Sequence, residues 1–525
     1  MMVRRCDSGS FWRRLVYVAL QSLLPLVNLY ILKVLVDTVQ AGVSGTASAA
    51  AFVPWLLCMC AVSLLNRVVS ALNGVNNDVL SQRLVDYMSD MVQRQAAKVD
   101  LSAYDMPAYH DIFHRAQQES VSRPLQILNS FMALFGALIS IVGVMTMLLS
   151  ASWWVVPVMV AAVLPSFAVR LYKARSVYDF RRSNTQLYRR TAYYGSLLTS
   201  RQSAAEMRAF RLAPVFRRLF VEARYRLSSR LLAISRRLGA LDVACAVVEI
   251  AAMFAIVWLL ASEAFAGAIT IGSFVMLFEA FRRGQGYLSS LVGAVASLYD
   301  NRLFVSNLFE FLNLEPTVLS PVEPEPVPEV IEQVEFRDIT FRYPDMDRDV
   351  LEHYSLTARR GEICRIEGRN GYGKSTLVKL LLRLYDPQQG MVLVNGIDIR
   401  RFDLERWRGC VAVLFQDFVR YACTAEENIG FGNRGKAVKR TPLTDFVDRL
   451  PHGAGTLLGR VFDGGSELSM GQWQRIALER ALGSDAPVMI LDEPMAWMDN
   501  ATRRLFAEAL DQASTGRIVI MINHQ

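Results

Sequence analysis

The sequence predicts a multidomain chain in which an all-α polytopic membrane domain is followed by an α/β domain. Three observations predict this fold class. Long apolar stretches recur through residues 11–310, and several are long enough to cross a bilayer. A segment rich in Pro and Glu follows them. After it, short apolar strands alternate with Gly turns and helical patterns up to the last residue.

Six apolar stretches predict six transmembrane helices in residues 1–312. Charged residues interrupt some of them, as Lys33 and Arg67 do. A buried helix of a soluble protein can carry such a stretch, but six in succession favour a membrane domain. The stretches run at about 15–37, 52–75, 124–149, 152–171, 241–262 and 271–298.

The charges between these stretches predict the orientation of the chain. The first and third connections carry no charge, whereas the fourth, at about 172–240, holds 16 Lys and Arg against three acidic residues. Because positive connections face the cytoplasm, we expect a multi-pass protein of the cell membrane, in contact with lipid, with both termini inside. The net charge of +8 then needs no nucleic-acid partner, since the basic residues sit where the topology requires them.

The last apolar stretch contains three charged residues that share one helical face. Arg282 and Arg283 follow Glu279 by three and four positions. Two interpretations are open: the group lines a transport pathway, or it lies at the inner membrane interface and pairs structurally. Arg67 has the same two interpretations.

The segment "EPTVLSPVEPEPVPE" at 315–329 predicts an extended, poorly packed linker because Pro and Glu dominate it. We therefore expect a membrane domain at 1–312, a linker at 313–332 and an α/β domain at 333–525.

The stretch "GRNGYGKST" (368–376) fits the phosphate-loop pattern G-x-x-x-x-G-K-[ST]. Its glycines let backbone N–H groups point at phosphate oxygens, Lys374 adds a positive charge, and Ser375 offers a hydroxyl to Mg²⁺. The strand pattern before it and the helix pattern after it are the context that the motif requires. The loop therefore predicts binding of ATP and Mg²⁺ by Gly368, Asn370, Gly371, Gly373, Lys374, Ser375 and Thr376.

The stretch "PVMILDEP" (487–494) is an apolar strand that ends in two carboxylates. Asp492 is placed to hold Mg²⁺ through water, and Glu493 to act as general base on the attacking water. Taken alone, the pattern also suits the exit of an ordinary strand. With a phosphate loop in the same domain, it favours nucleotide hydrolysis.

The stretch "GGSELSMGQWQR" (464–475) indicates the family. Here the chain resembles the ATP-binding cassette (ABC) proteins, whose signature is L-S-G-G-Q, and the order of six helices and then one cassette is that of the exporters. The resemblance implies that Tyr343 stacks on adenine, and that Gln416 reaches Mg²⁺ and the attacking water. It further implies a signature formed by Ser469, Gly471 and Gln472, a dimer-contact aspartate, Asp499, and a histidine that touches the γ-phosphate, His524.

The same resemblance implies a half-transporter that pairs with itself or a close relative. Ser469 and the N-terminus of its helix would clamp the ATP held by the partner's phosphate loop, and segments near 100–111 and 205–218 would press into the partner cassettes. We thus expect an ATP hydrolase that exports a peptide, lipid or hydrophobic small molecule. The alternative is a regulatory or degenerate half of a heterodimeric transporter with little ATPase activity.

Two departures from the family pattern affect this hypothesis. Met470 replaces the first signature glycine. If the helix begins at Ser469, Met470 takes an ordinary helical φ and is tolerated, with a slow site as the alternative. Gly471 is kept, and we expect it to let the backbone approach phosphate. The residues before Asp499, "AWM", are larger than the family's usual small ones.

The chain ends at "RIVIMINHQ", whereas the family continues through further strands and helices. We therefore expect a sequence truncated at its C-terminus, with the last part of the cassette missing. The apolar strand "RIVIMIN" would then lose its cover.

Overall fold

The computed structural model describes residues 6–45, 48–106, 109, 113, 116, 123–151, 154–344, 346–368, 372–432 and 440–523. The chain forms two compact units. The first comprises Met1–Ala97 with Ile112–Asn313, and the second comprises Lys98–Asp111 with Leu314–Gln525. A short segment from the first half of the sequence thus belongs to the second unit.

The first unit is helical. Its helices are α1 (Ser8–Val43), α2 (Phe52–Lys98), α4 (Arg123–Ala151), α5 (Val155–Ser183), α6 (Thr185–Thr199), α7 (Arg201–Ala209), α8 (Ala213–Phe265), α9 (Ile271–Asp300) and α10 (Arg302–Leu312). Within the described residues, five of them are long and apolar enough to cross a membrane, namely α1, α2, α4, α5 and α8. The sixth predicted stretch forms α9, and its crossing of the membrane stays a prediction.

Helix α9 lies inside the helical unit. It packs against α4, α1 and α5, and its Leu277, Ala280 and Phe281 are completely buried. Its three charges pair on one face as predicted: the Glu279 carboxylate lies 3.0 Å from Arg282 and 3.5 Å from Arg283. Other helices of the same unit therefore surround much of α9.

The surface of the long helices is strongly apolar. On α8, Phe254 is 65% exposed and Trp258 is 76% exposed. Large apolar side chains in this number on one outer surface suit hydrocarbon rather than water. Together with the length of the helices, this surface defines a membrane protein.

The described residues of the second unit form two four-stranded sheets. Its strands are β1 (Gln333–Phe341), β2 (Leu351–Arg359), β3 (Ile363–Glu367), β4 (Gln389–Val394), β5 (Ile397–Asp398), β6 (Val411–Leu414), β7 (Val488–Asp492) and β8 (Ile518–Asn523). One sheet has the order β2-β1-β4-β5 with antiparallel pairs, and the other has the order β3-β8-β7-β6 with parallel pairs. The helices of this unit are α3 (Leu101–Asp105), α11 (Lys374–Leu381), α12 (Leu404–Gly409), α13 (Ala425–Gly430), α14 (Met470–Leu482) and α15 (Asn500–Ser514).

Strand β8 occupies an interior position of the parallel sheet. It pairs with β3 on one side and β7 on the other, and residues 518–522 are buried. The expectation that this strand would lose its cover was therefore wrong, because the neighbouring strands enclose it.

The Pro- and Glu-rich linker is extended and mostly exposed at 315–329, as expected, and Val322 is fully exposed, but a few residues of the linker are buried. Val318 is 7% exposed and Ile331 is 2% exposed. The Glu325 N–H donates to the Arg401 carbonyl oxygen at 2.8 Å. Proline favours the extended backbone, and Val327 and Ile331 pack on the core of the α/β unit.

Helix α3 is attached to the cassette of its own chain. The Asp100 carboxylate accepts hydrogen bonds from the N–H and hydroxyl of Thr317, Leu101 packs on the core of the α/β unit, and the Tyr385 hydroxyl donates to Asp105. We expected the segment near 100–111 to contact the partner cassettes. The described part of it contacts this chain, and its contact with a partner cassette stays a prediction.

Candidate functional site

The phosphate loop leads into α11 through a glycine with a left-handed backbone. Gly373 has φ +74°, and a Cβ atom there would lie 2.7 Å from Leu351 Cδ2, so a larger residue would be strained. Lys374 is buried, and its Nζ donates to the carbonyl oxygens of Gly368 and Asn523, the latter at 3.1 Å. Asn370 and Gly371 lie outside the described residues.

The ring of Tyr343 is held by its neighbours beside the phosphate loop. Its hydroxyl shares a 3.1 Å hydrogen bond with Thr376 Oγ1. The ring meets Phe341 and Tyr385 edge to face, with centroids 4.9 and 5.4 Å apart. Lys379 Nζ lies 4.8 Å from the ring centroid. These contacts fix the ring plane, as a stacking residue requires.

Two polar residues meet where β6 and β7 end. Glu493 follows the buried Asp492 at the end of β7, and Gln416 lies two residues after the end of β6. Gln416 Nε2 donates to Glu493 Oε1 at 2.6 Å. Parallel neighbours end at the same edge of a sheet, which explains why residues far apart in sequence converge.

The backbone of Glu493 is also fixed. Its φ is +51°, a region uncommon for residues other than glycine. Its N–H donates to the Ile522 carbonyl oxygen at 3.0 Å, and its carbonyl oxygen accepts from Gln474 Nε2 at 3.1 Å. Hydrogen bonds to β8 and α14 thus fix the backbone of Glu493 at the end of β7.

The signature residues begin α14. Ser469 is the N-cap residue; its hydroxyl oxygen accepts from the Gln472 N–H at 3.2 Å, and Gln472 Oε1 accepts from the Ser469 N–H at 2.9 Å. This is a capping box. Met470 is the first helical residue, without a positive φ, so the steric part of the expectation holds.

Gly471 is needed for a contact within this chain. A Cβ atom there would lie 2.8 Å from the Trp497 carbonyl oxygen. Asp499, two residues further, caps α15 by accepting from the Thr502 N–H at 2.8 Å, and this hydrogen bonding holds the pKa of its carboxyl below the usual value. Gly471 thus allows a close approach within this chain, and its expected approach to phosphate stays a prediction.

The predicted residues form two groups. The first, at the sheet edge, contains Tyr343, Gly368, Gly373, Lys374, Ser375, Thr376, Gln416, Asp492 and Glu493. The second, at the start of α14 and the turn before α15, contains Ser469, Gly471, Gln472 and Asp499. His524 lies outside the described residues.

Sequence reasoning missed Gln474, Tyr385 and Lys379. Gln474 is 2% exposed, and a polar residue on the apolar face of α14 was the signal that could have identified it. The sequence holds no comparable signal for Tyr385. Burial and its hydrogen bond to Asp105 raise the pKa of the Tyr385 hydroxyl.

The oxygen atoms at the sheet edge fit a magnesium ion held jointly with a nucleotide. Ser375 is exposed at the start of α11, and Asp492 ends β7. Among the described residues, no group of three His, Cys, Asp or Glu side chains could hold a metal alone. Magnesium suits such a site because it takes few protein ligands and completes its shell with phosphate and water.

The fold and this site define a nucleotide-binding ATPase domain joined to a helical membrane domain. The family model "ABC transporter" matches residues 351–496. The chain is 26% identical to the subtilin transport ATP-binding protein SpaT of Bacillus subtilis over 99% of this chain and 85% of that protein. It is 31% identical to an ATP-dependent lipid A-core flippase of Syntrophus aciditrophicus over 49% of this chain and 43% of that protein.

A solved structure has the same fold. The chain of a bacterial Atm1-family ABC exporter with ATP bound matches with a TM-score of 0.80 and 21% identity, over 100% of this chain and 91% of that chain. Residues 351–496 thus form an ABC transporter domain, and the chain as a whole has the arrangement of an exporter half-transporter, with membrane and nucleotide-binding domains in one chain. It binds and hydrolyses ATP to drive export.

Proposed function

We propose that this half-transporter pairs with a second half-transporter and exports a peptide across the cytoplasmic membrane, using ATP with Mg²⁺. The observation that carries the hydrolytic part is the 2.6 Å hydrogen bond between Gln416 and Glu493 at the sheet edge. The match to SpaT, a subtilin transport protein, extends over nearly the whole chain, whereas the match to the flippase covers about half. This difference favours a peptide over a lipid.

Each residue of the sheet edge has a role in hydrolysis. Glu493 accepts the proton of the attacking water, and Gln416 keeps the carboxylate and the water aligned. Lys374 and the loop of Gly368, Asn370, Gly371, Gly373 and Thr376 bind phosphate oxygens. Mg²⁺, when bound by Ser375, Asp492 and Gln416, would neutralise phosphate charge. Tyr343 stacks on adenine, and His524 touches the γ-phosphate.

The signature residues act on the nucleotide of the partner. The Ser469 hydroxyl uses an acceptor lone pair in the cap, so its O–H remains able to donate to a phosphate oxygen. Gly471 presents a backbone N–H group at the same helix end, Gln472 closes the capping box that orients the Ser469 hydroxyl, and Asp499 contacts the opposing cassette. Two ATP molecules thereby join two cassettes, and hydrolysis separates them.

Two connections transmit this closure to the membrane helices. Helix α3 is bound to its own cassette through Asp100 and Asp105. The segment near 205–218 fits the partner cassette, where a groove beside Gln416 presents aromatic side chains. The groove is lined in part by Phe415, Phe418, Tyr421, Phe431 and Arg480.

The domain limits and topology belong to the same proposal. The membrane domain comprises 1–312 with six spans, the linker 313–332, and the cassette follows from 333. Both long inner connections, both ends of the sequence and the cassette face the cytoplasm.

Replacing Glu493 tests the hydrolytic role. In purified full-length protein in lipid, we expect Glu493→Gln to lower the ATPase rate by about 100-fold or more, since it removes the general base. Binding of ATP, measured by protection from thermal unfolding, is expected to stay. Equal hydrolysis by both forms would contradict the role of Glu493, and a wild type that binds but does not hydrolyse ATP would favour the regulatory alternative.

A further inference from the structure

Glutamine 474 connects the signature helix to the general base. It lies on α14, five residues after the N-cap Ser469, and is 2% exposed. Its Nε2 donates to the Glu493 carbonyl oxygen at 3.1 Å, and its Oε1 accepts from the Trp497 N–H at 3.0 Å. One buried amide thus spans both ends of the turn 493–497.

The turn 493–497 is stabilised by a residue that lies outside it. Glu493 has φ +51°, a conformation that a residue with a Cβ atom rarely adopts. Within the turn, its carbonyl oxygen receives a long hydrogen bond from the Ala496 N–H, at 3.4 Å. The shorter bond from Gln474 therefore fixes the peptide group that follows Glu493, and with it the direction of the carboxylate.

The contact is continuous along one face of α14. Gly471 lies one helical turn before Gln474, and it is the residue whose Cβ would come 2.8 Å from the Trp497 carbonyl oxygen. The Trp497 N–H thus donates a hydrogen bond to Gln474, and the Trp497 carbonyl oxygen lies close to Gly471. A movement of the N-terminal end of α14 must move the turn that carries Glu493.

We propose that Gln474 is a positioning residue for hydrolysis, which acts through the backbone of Glu493 and couples it to the signature end of α14. This rests on the proposed role of Glu493 as general base. The consequence is that the helix end directed at the partner's nucleotide also sets the geometry of the base at the chain's own nucleotide. Binding at one site would therefore adjust hydrolysis at the other.

The test compares two variants of the full-length protein in lipid nanodiscs. Gln474→Met has similar length but makes no hydrogen bonds. Thr444→Val is the matched control, since Thr444 is completely buried and donates to Glu479 at the far end of the same helix, at 3.2 Å. We expect Gln474→Met to lower kcat by about tenfold or more with little change in the KM for ATP, because a small misplacement of a catalytic group is costly. Thr444→Val should leave kcat near the wild-type value.

A double variant separates positioning from general damage. If Gln474 acts through Glu493, adding Gln474→Met to Glu493→Gln changes the residual rate by less than about twofold. The proposal would be overturned if the two substitutions lowered the ATPase rate independently, so that their factors multiply in the double variant. A wild-type kcat in Gln474→Met would overturn it as well.

Hydrogen exchange gives a readout that does not depend on activity. Gln474→Met should speed exchange in the segment 493–499, which contains the Trp497 amide, and Thr444→Val should not. Unchanged exchange in Gln474→Met would also overturn the proposal. If Glu493→Gln hydrolyses ATP at the wild-type rate, the role of Glu493 fails instead, and exchange still decides whether Gln474 holds the turn.

Discussion

Met470 and Gly471 are adjacent, yet the structure gives them opposite tolerance to substitution. Met470 is 37% exposed at the first position of α14 with a helical backbone, so no geometry there requires glycine. Gly471 is one residue further and approaches the Trp497 carbonyl oxygen. The departure from the family signature therefore falls on the position that can accept a side chain.

Single substitutions at these two positions test the difference. We expect Met470→Gly to change the ATPase rate by less than about threefold, since only a modest entropic cost accompanies glycine at this site. Gly471→Ala should lower stability by about 1–3 kcal/mol through overpacking, and also lower the rate by displacing the turn of Glu493. Thermal unfolding and ATPase assays check both. A tenfold gain of activity in Met470→Gly would instead show that Met470 slows the site.

Helix α3 shows how a short element can be placed by contacts distant in sequence. Its five residues have little stability of their own, and Asp100, Leu101 and Asp105 attach it to the cassette. Tyr385, which donates to Asp105, also meets the ring of Tyr343 edge to face. The element is thus connected to the proposed adenine-stacking residue through one tyrosine.

Removal of the Tyr385 hydroxyl tests this attachment. Tyr385→Phe should speed hydrogen exchange in residues 98–106, because the bond to Asp105 is lost while the ring remains. The KM for ATP should stay within about twofold, whereas Tyr385→Ala should raise it by removing one of the two rings that hold Tyr343. Tyr354→Phe, a half-buried tyrosine of the same unit, is the control. If exchange in Tyr385→Phe stays as slow as in the wild type, the contacts of Asp100 and Leu101 are sufficient to hold α3.

At the scale of the whole molecule, the chain joins a unit whose surface suits hydrocarbon to a unit whose surface suits water. The helical unit exposes large apolar side chains such as Trp258, and the α/β unit buries its apolar residues in two sheets. Charge asymmetry between the connections supplies the proposed orientation. Ser44 then lies outside, and Tyr225, on α8, lies inside.

Labelling of single cysteines in intact cells checks the orientation. In a background without the native cysteines, a membrane-impermeant maleimide should modify Ser44→Cys but reach Tyr225→Cys only after the cells are opened. Both side chains are exposed in the structure, so access and not burial decides the result. The opposite pattern would invert the proposed topology.

Local sequence patterns determined much of this protein. Apolar length gave the helices α1, α2, α4, α5 and α8, because hydrophobic runs act over consecutive residues. The glycine pattern placed the phosphate loop between β3 and α11, and the spacing of Ser469 and Gln472 suits the cap that starts α14. These features depend on neighbours a few positions apart.

Tertiary structure alone decided the long-range contacts. The enclosed position of β8, the attachment of α3 to its own cassette and the bridge from Gln474 to Glu493 join segments far apart in sequence. The sequence shows that Gln474 is polar and that its helical face is apolar, but not which backbone group satisfies it. Buried polar groups must find partners, and only the folded chain determines which partners come within reach.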